Sequence, residues 1–267
     1  MSKAIALGIA GVTVSFAMLA AGFVAGSRND LSAAPYGAGS GSPVLERAVS
    51  RGDVEAIVRA YLVENPEILT EMQAVLAQRE EEQQRLALLE AIGSSSDTIF
   101  NAAYDGVVGN PDGSTTVVEF FDYNCGYCKR AYEDMAAMVA EDADLRFVLK
   151  EFPILGPDSQ RAHIVSMAFR ALAPEKYGEF HRTLLTGGRA TEAAAIATAV
   201  GLGVDEAALR EEMKNPAIAE AFQETYELAQ KLAITGTPSY VIGQEVVFGA
   251  LGQAVLKEKV ELARAGD

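Results

Sequence analysis

The sequence predicts an α/β domain over residues 97–267, preceded by an α-helical extension and an apolar N-terminal segment. Three observations carry this. A β-branched and aromatic run, Thr115–Phe121, leads straight into a helical pattern that opens on Cys125-Gly126-Tyr127-Cys128. Beyond it, helical periodicity alternates with short strand-like runs. A stretch rich in Gly, Ser, Ala and Pro separates the front of the chain from the rest.

A length of 267 residues allows one domain of ordinary size plus a smaller element. The formal charge of −15, with no local Lys/Arg cluster against it, repels a phosphate backbone and excludes nucleic acid as a partner. Both cysteines of the chain fall within four residues of each other, and none serves elsewhere as a small buried hydrophobe.

Residues 1–30 read as an export signal, because Ala4 to Ala25 is uncharged and apolar with Lys3 before it and Arg28 after it. The run is longer than the apolar core of most signal peptides and reaches the span of a bilayer. Val24-Ala25-Gly26 offers a loose cleavage site, so a cleaved signal peptide and a membrane anchor both stay open. Either route delivers the body of the chain to an oxidising space where disulfides persist. Residues 31–43, LSAAPYGAGSGSP, form a flexible linker.

Residues 44–96 are expected to be helical. Val54, Ile57, Val58, Tyr61 and Leu62 recur at helical spacing after Asp53, read as the N-cap. Asn65-Pro66-Glu67 starts a second helix, whose apolar positions Ile68, Leu69, Met72, Val75 and Leu76 resume at Leu86, Leu89 and Ile92 before Gly93 and the serines end it. Two such helices cannot bury a stripe alone, so they must pack on the main domain, on a membrane or on copies of themselves. A homo-oligomer through residues 44–96 is the expectation, although no heptad is sustained long enough to settle it.

In the main domain the turn Asn110–Gly113 precedes the Thr115–Phe121 strand. Cys125 then stands at a helix N-terminus, where unpaired N–H groups favour its thiolate, and Cys128 lies one turn inside as the resolving thiol. A structural disulfide is a poor alternative, since so short a loop removes little unfolded-state entropy. Zinc would find half of a ligand set, with His163 and His181 at no ligand spacing, and those histidines read as packing or surface residues. Two thiolates could hold Cu(I). No metal is assigned, and no cofactor beyond the redox-active Cys125–Cys128 disulfide. Leu145–Phe152 is a second buried strand, residues 158–232 are helical with breaks at Pro174, Gly187-Gly188, Gly201 and Asn215-Pro216, and residues 239–248 form a hairpin before a last helix.

Val118-Glu-Phe-Phe-Asp-Tyr-Asn-Cys125-Gly-Tyr-Cys128-Lys129 resembles the active-site strand and turn of the DsbA-type thioredoxin-like proteins of bacterial envelopes. Thr235-Gly-Thr-Pro238-Ser-Tyr-Val-Ile-Gly243 resembles their cis-proline loop. The resemblance implies a thioredoxin-like fold with a helical insertion from about Asp97 onward. It implies catalysis by Cys125 and Cys128, substrate support by Gly126, Tyr127, Thr237 and Pro238, and an acid, Glu119, that aids proton transfer at the buried cysteine. The helical extension is similar to that of ScsC-like thiol oxidoreductases. The activity implied is thiol–disulfide exchange on cysteine-containing exported proteins in the bacterial periplasm, tethered or not by residues 4–25, with a membrane redox partner. Gly126-Tyr127 and Thr237 look like envelope isomerases whereas the domain looks like the oxidases, so direction stays open. A Cu(I)-binding protein or a protein chaperone of the envelope is the alternative.

Overall fold

The computed structural model describes residues 50–266, so the apolar segment 4–25, the linker 31–43 and the start of the helical region lie outside the described residues. The chain divides between Glu64 and Asn65 into two units. The first contributes α1 (Arg51–Glu64). Ser50 and Asp53 cap it reciprocally: the Asp53 N–H donates to Ser50 Oγ at 3.2 Å, and Asp53 Oδ2 accepts from the Ser50 N–H at 3.1 Å. Asp53 is therefore the third residue of the helix and not its N-cap, because Ser50 already offers the capping oxygen. No residue of α1 is buried, and Val54, Ile57, Val58 and Leu62 are exposed.

The second unit opens with α2 (Glu67–Ser94), 28 residues long, of which only Ile92 is buried. Its C-terminal end, through Leu88, Ala91 and Ile92, packs on the domain core, while Leu69, Met72, Val75 and Leu76 are exposed. A short α3 (Ser96–Phe100) buries Ile99 and leads to an edge strand, β1 (Gly106–Gly109); neither element is evident in the sequence. Then come β2 (Thr115–Phe121), α4 (Gly126–Glu141) and β3 (Leu145–Glu151), a βαβ unit whose strands pair in parallel from Thr115 opposite Leu145 to Phe121 opposite Glu151.

The helical stretch that follows comprises α5 (Pro157–Leu172), a 3-10 turn (Pro174–Lys176), α6 (Tyr177–Thr186), α7 (Glu192–Gly201), α8 (Glu206–Glu212) and α9 (Pro216–Lys231). Its breaks fall where Pro and Gly interrupt the pattern. Thr191, Asp205 and Asn215 cap the restarts by accepting from the N–H groups of Ala194, Ala208 and Ala217. The chain closes with β4 (Ser239–Ile242), β5 (Glu245–Phe248) and α10 (Gln253–Gly266).

The sheet order is β1-β3-β2-β4-β5, with only the β2–β3 pair parallel. Both faces of the central strands are covered, which is why β2 reads as an almost unbroken apolar run. Val117, Phe121, Phe147 and Leu149 face a core completed by Met135 and Met138 of α4, Phe169 of α5 and Phe180 of α6. Val118, Phe120 and Val148 face a smaller core with Ile92, Ile99, Leu228 and Leu232. This is a mixed α/β thioredoxin-like fold with helical insertions. Among the described residues, no helix is long and apolar enough to cross a membrane.

Candidate active site

Strand alternation places Glu119 on the same face of β2 as Val117 and Phe121, the face that α4 covers. After Phe121 the chain turns through Asp122-Tyr123-Asn124 and α4 begins. Cys125 is its N-cap, with extended backbone at φ −76° and ψ 115°, and its sulfur accepts from the Cys128 N–H at 3.4 Å. The free N–H groups and positive dipole end of α4 therefore point at Cys125. From the other side comes the loop before β4, where the Thr237–Pro238 peptide is cis. The Thr237 carbonyl oxygen accepts from the Cys125 thiol at 3.2 Å, joining segments 112 residues apart.

Both cysteines are free thiols, and their surroundings differ sharply. Cys125 is 5% exposed and Cys128 fully buried, so an incoming sulfur reaches Cys125 first. The Cys125 thiol is lowered to about 5, chiefly by hydrogen bonding with the Cys128 side chain, helped by the Thr237 side chain and the N–H groups of Cys128 and Tyr127, against the opposing effect of burial. Burial first, then Cys125 and the charge of Glu119, push the Cys128 thiol far above the ordinary range. Glu119 is buried and opposite Tyr240 of β4; burial, then the Cys125 thiolate, push its carboxyl up to about 8. A carboxylic acid that titrates near neutrality and senses both sulfurs can carry a proton to or from them.

The remaining sequence-predicted residues fall around the same sulfur. Gly126 has nothing within 4 Å of where a Cβ would sit, so the space beside it, next to Cys125, is open. Tyr127 is exposed, with the Arg130 guanidinium 4.3 Å from its ring centroid. The Thr237 carbonyl meets Cys125 and Pro238 follows it across the cis peptide, so all seven residues singled out from the sequence lie on β2, the start of α4 or the cis-proline loop.

What sequence reasoning missed is the buried polar cluster behind the turn. His163 and His181, read as packing or surface residues, are both buried, so the surface alternative is wrong. His163 Nε2 accepts from the Tyr123 N–H at 3.1 Å, and its Nδ1 donates to Glu151 at the end of β3. Glu151 also accepts from Ser166 Oγ at 2.6 Å and from the Tyr177 hydroxyl at 3.0 Å. Burial drives the His181 imidazole down to about 3, so it is neutral, with Nδ1 3.3 Å from the Tyr123 hydroxyl. One signal could have found this cluster: Ser159, His163 and Ser166 repeat at i, i+4 and i+7 among Ala162, Val165 and Phe169, a polar stripe inside an apolar helix face.

Among the described residues, no three His, Cys, Asp or Glu side chains stand together as a metal site. The chemistry on hand is that of two adjacent sulfurs, one stabilised as thiolate and one held as thiol.

Comparison with known proteins agrees with this geometry. Residues 116–261 match the family model of the DSBA-like thioredoxin domain, and residues 51–83 match that of the copper resistance protein ScsC N-terminal domain. A thioredoxin-like oxidoreductase from Silicibacter pomeroyi is 39% identical, with 63% of this chain and 97% of that one covered and a TM-score of 0.60. Proteus mirabilis ScsC in a transitional conformation is 26% identical, with 82% and 97% covered and a TM-score of 0.61. Disulfide bond formation protein D of Bacillus subtilis is 25% identical over 167 residues, 58% of this chain and 75% of that protein.

Proposed function

The chain belongs to the DSBA-like thioredoxin domain family, and from that premise we propose that it is an exported thiol–disulfide oxidoreductase working through the Cys125-Gly126-Tyr127-Cys128 motif. The observation that carries this reading is the opposite environment of the two thiols. A substrate thiolate attacks Cys125 Sγ of the oxidised pair, the Cys125–Cys128 bond breaks, and Cys128 departs, taking a proton from Glu119, the buried carboxyl whose charge acts on it. A second substrate thiolate then attacks the substrate sulfur of the mixed disulfide, and Cys125 leaves as its stabilised thiolate. In the reverse direction the Cys125 thiolate opens a substrate disulfide, and Cys128, deprotonated by Glu119, resolves it. The Thr237 main chain beside the sulfur suits an extended polypeptide that adds hydrogen bonds of its own, so the substrates are cysteine-containing proteins of varied sequence.

In this reading the protein works in the bacterial periplasm, the usual place of its family, with residues 4–25 as export signal or inner-membrane tether and a membrane redox partner restoring the resting state. Residues 97–267 form the catalytic domain and residues 44–96 an oligomerisation region. The exposed apolar positions of α1 and α2, and the match of residues 51–83 to the ScsC N-terminal domain, support that division. Equilibrating the Cys125–Cys128 pair against glutathione buffers and counting both thiol forms tests the activity. A potential well above the glutathione poise makes the protein a disulfide donor, and one near or below it an isomerase or reductase. Failure of the pair to exchange with glutathione would refute the proposal.

A further inference from the structure

The turn that carries Cys125 is held almost entirely from outside its own segment. Asp122 accepts from the Asn124 N–H at 2.8 Å, from Ser159 Oγ at 2.8 Å and from the Leu155 N–H at 2.9 Å. The Asn124 amide donates to Ser159 Oγ at 3.0 Å and to the Ala190 carbonyl at 2.9 Å, and its oxygen accepts from the Ala190 N–H at 2.9 Å. Between them the Tyr123 N–H, deep in the core, has His163 Nε2 as its acceptor. A neutral imidazole accepts at one nitrogen only if the other carries the proton, and Glu151, receiving that Nδ1 proton, fixes the tautomer that the Tyr123 N–H requires. Glu151 is itself fixed by Ser166 and Tyr177. The partners lie at the end of β3, in the loop after it, on α5 and α6 and in the loop before α7, so this stretch of chain grips each of the three residues ahead of the thiol.

We propose that His163, its tautomer set by Glu151, is a positioning residue for thiol exchange: it holds the Tyr123 main chain so that the Cys125 sulfur stays within reach of the Cys128 N–H and of Thr237. This rests on the exchange reading given above. The contact it protects is a long one, 3.4 Å from sulfur to nitrogen, and hydrogen-bond stabilisation falls steeply with distance and angle. Removing the imidazole leaves a buried N–H to find a new acceptor, and the turn must move to satisfy it. Cys125 is two residues further along, with its own N–H on the Asp122 carbonyl at 2.9 Å, so it moves with the turn. A role in general stability alone would weaken the fold and leave the sulfur's surroundings as they are.

The test is the pH titration of thiolate absorbance near 240 nm in the reduced full chain, with melting temperature measured alongside. The unaltered protein should titrate near 5. His163→Leu should raise that midpoint by about one pH unit, a tenfold loss of thiolate at a fixed pH below it, as expected for one lost hydrogen bond. His163→Gln, whose amide oxygen reaches to about where Nε2 stands, should retain most of the low midpoint. Phe169→Ala, which removes a ring stacked 4.4 Å from Phe180 in the same core, should lower the melting temperature and leave the midpoint in place. If His163→Leu does not fold, Glu151→Gln carries the test: an amide cannot accept from His163, Ser166 and Tyr177 as the carboxylate does, and it too must raise the midpoint. A low wild-type midpoint unmoved by His163→Leu or Glu151→Gln, or moved as far by Phe169→Ala, would overturn this proposal alone. An ordinary thiol midpoint near 8.5 in the unaltered protein would overturn this proposal, while the exchange reading stands or falls on exchange of the pair with glutathione.

Discussion

The thiol turn and the helical extension use burial in opposite ways. Around Cys125, side-chain and main-chain groups from the segments after β3 converge on three residues, and polar groups as costly to bury as Glu151, Asp122 and His163 are each matched by partners. In α1 and α2 the apolar residues Ile57, Leu69, Met72 and Leu76 are exposed, and α1 is held at its start by the Ser50–Asp53 box. The turn is specified by its own domain, whereas the extension leaves an apolar surface exposed, which the proposed self-association would cover.

Deleting residues 51–83 separates the two most drastically. In sedimentation the solution mass should drop to that of one chain, while the Cys125 midpoint stays near 5. A midpoint that moves with the deletion would break the comparison, and so would a full chain that sediments as a single molecule. A second change strikes the domain only. Lys150 is buried and paired with Asp105, its ammonium also donating to the Thr98 carbonyl, and Lys150→Met should cost about 3–5 kcal/mol in denaturant unfolding above neutral pH. Burial has raised Asp105 to about 7, so the carboxyl protonates as pH falls and the penalty shrinks below that value.

Glu119→Gln is subtler. It should slow the steps in which Cys128 gains or loses a proton by about one to two orders of magnitude in stopped-flow exchange, with first attack at Cys125 spared. It also carries a stability signature. A carboxyl raised from 4.5 to about 8 adds its full stability below pH 4.5 and loses it as pH rises through 8, so the variant's melting temperature should fall less over that window than the parent's. Ser50→Ala is the mildest, costing α1 about 1 kcal/mol of helix stability. Hydrogen exchange at the first turn of α1 should quicken without any change at the thiols.

Much of this arrangement is legible in the chain because it is local. The β-branched run ending at Phe121, the paired cysteines opening α4, and the Asn215-Pro216 and Thr237-Pro238 steps each declare themselves within a few residues. Glu119 could be assigned to the α4 face by strand alternation once the strand was known. The short edge strand β1 escaped notice because Gly106-Val-Val-Gly109 is too brief for periodicity to register and owes its place to pairing with β3. Asp53 reads as an N-cap from its position ahead of the apolar stripe, but Ser50, three residues earlier, offers the better placed oxygen. The Glu151–His163 pair stayed hidden for a different reason: its meaning lies in contacts 12 to 40 residues long that only the folded insertion creates.

In the proposed exchange Cys125 is the attacking and attacked sulfur and Cys128 the one that resolves. Trapping tests it most directly: reduced Cys125→Ser and Cys128→Ser proteins are each mixed with a disulfide-bearing peptide at pH 7, and intact mass is recorded over time. Cys128→Ser should accumulate a stable mixed disulfide at Cys125 while Cys125→Ser, its remaining thiol buried and protonated, forms none. A covalent adduct that builds up on Cys125→Ser as fast as on Cys128→Ser would contradict these roles.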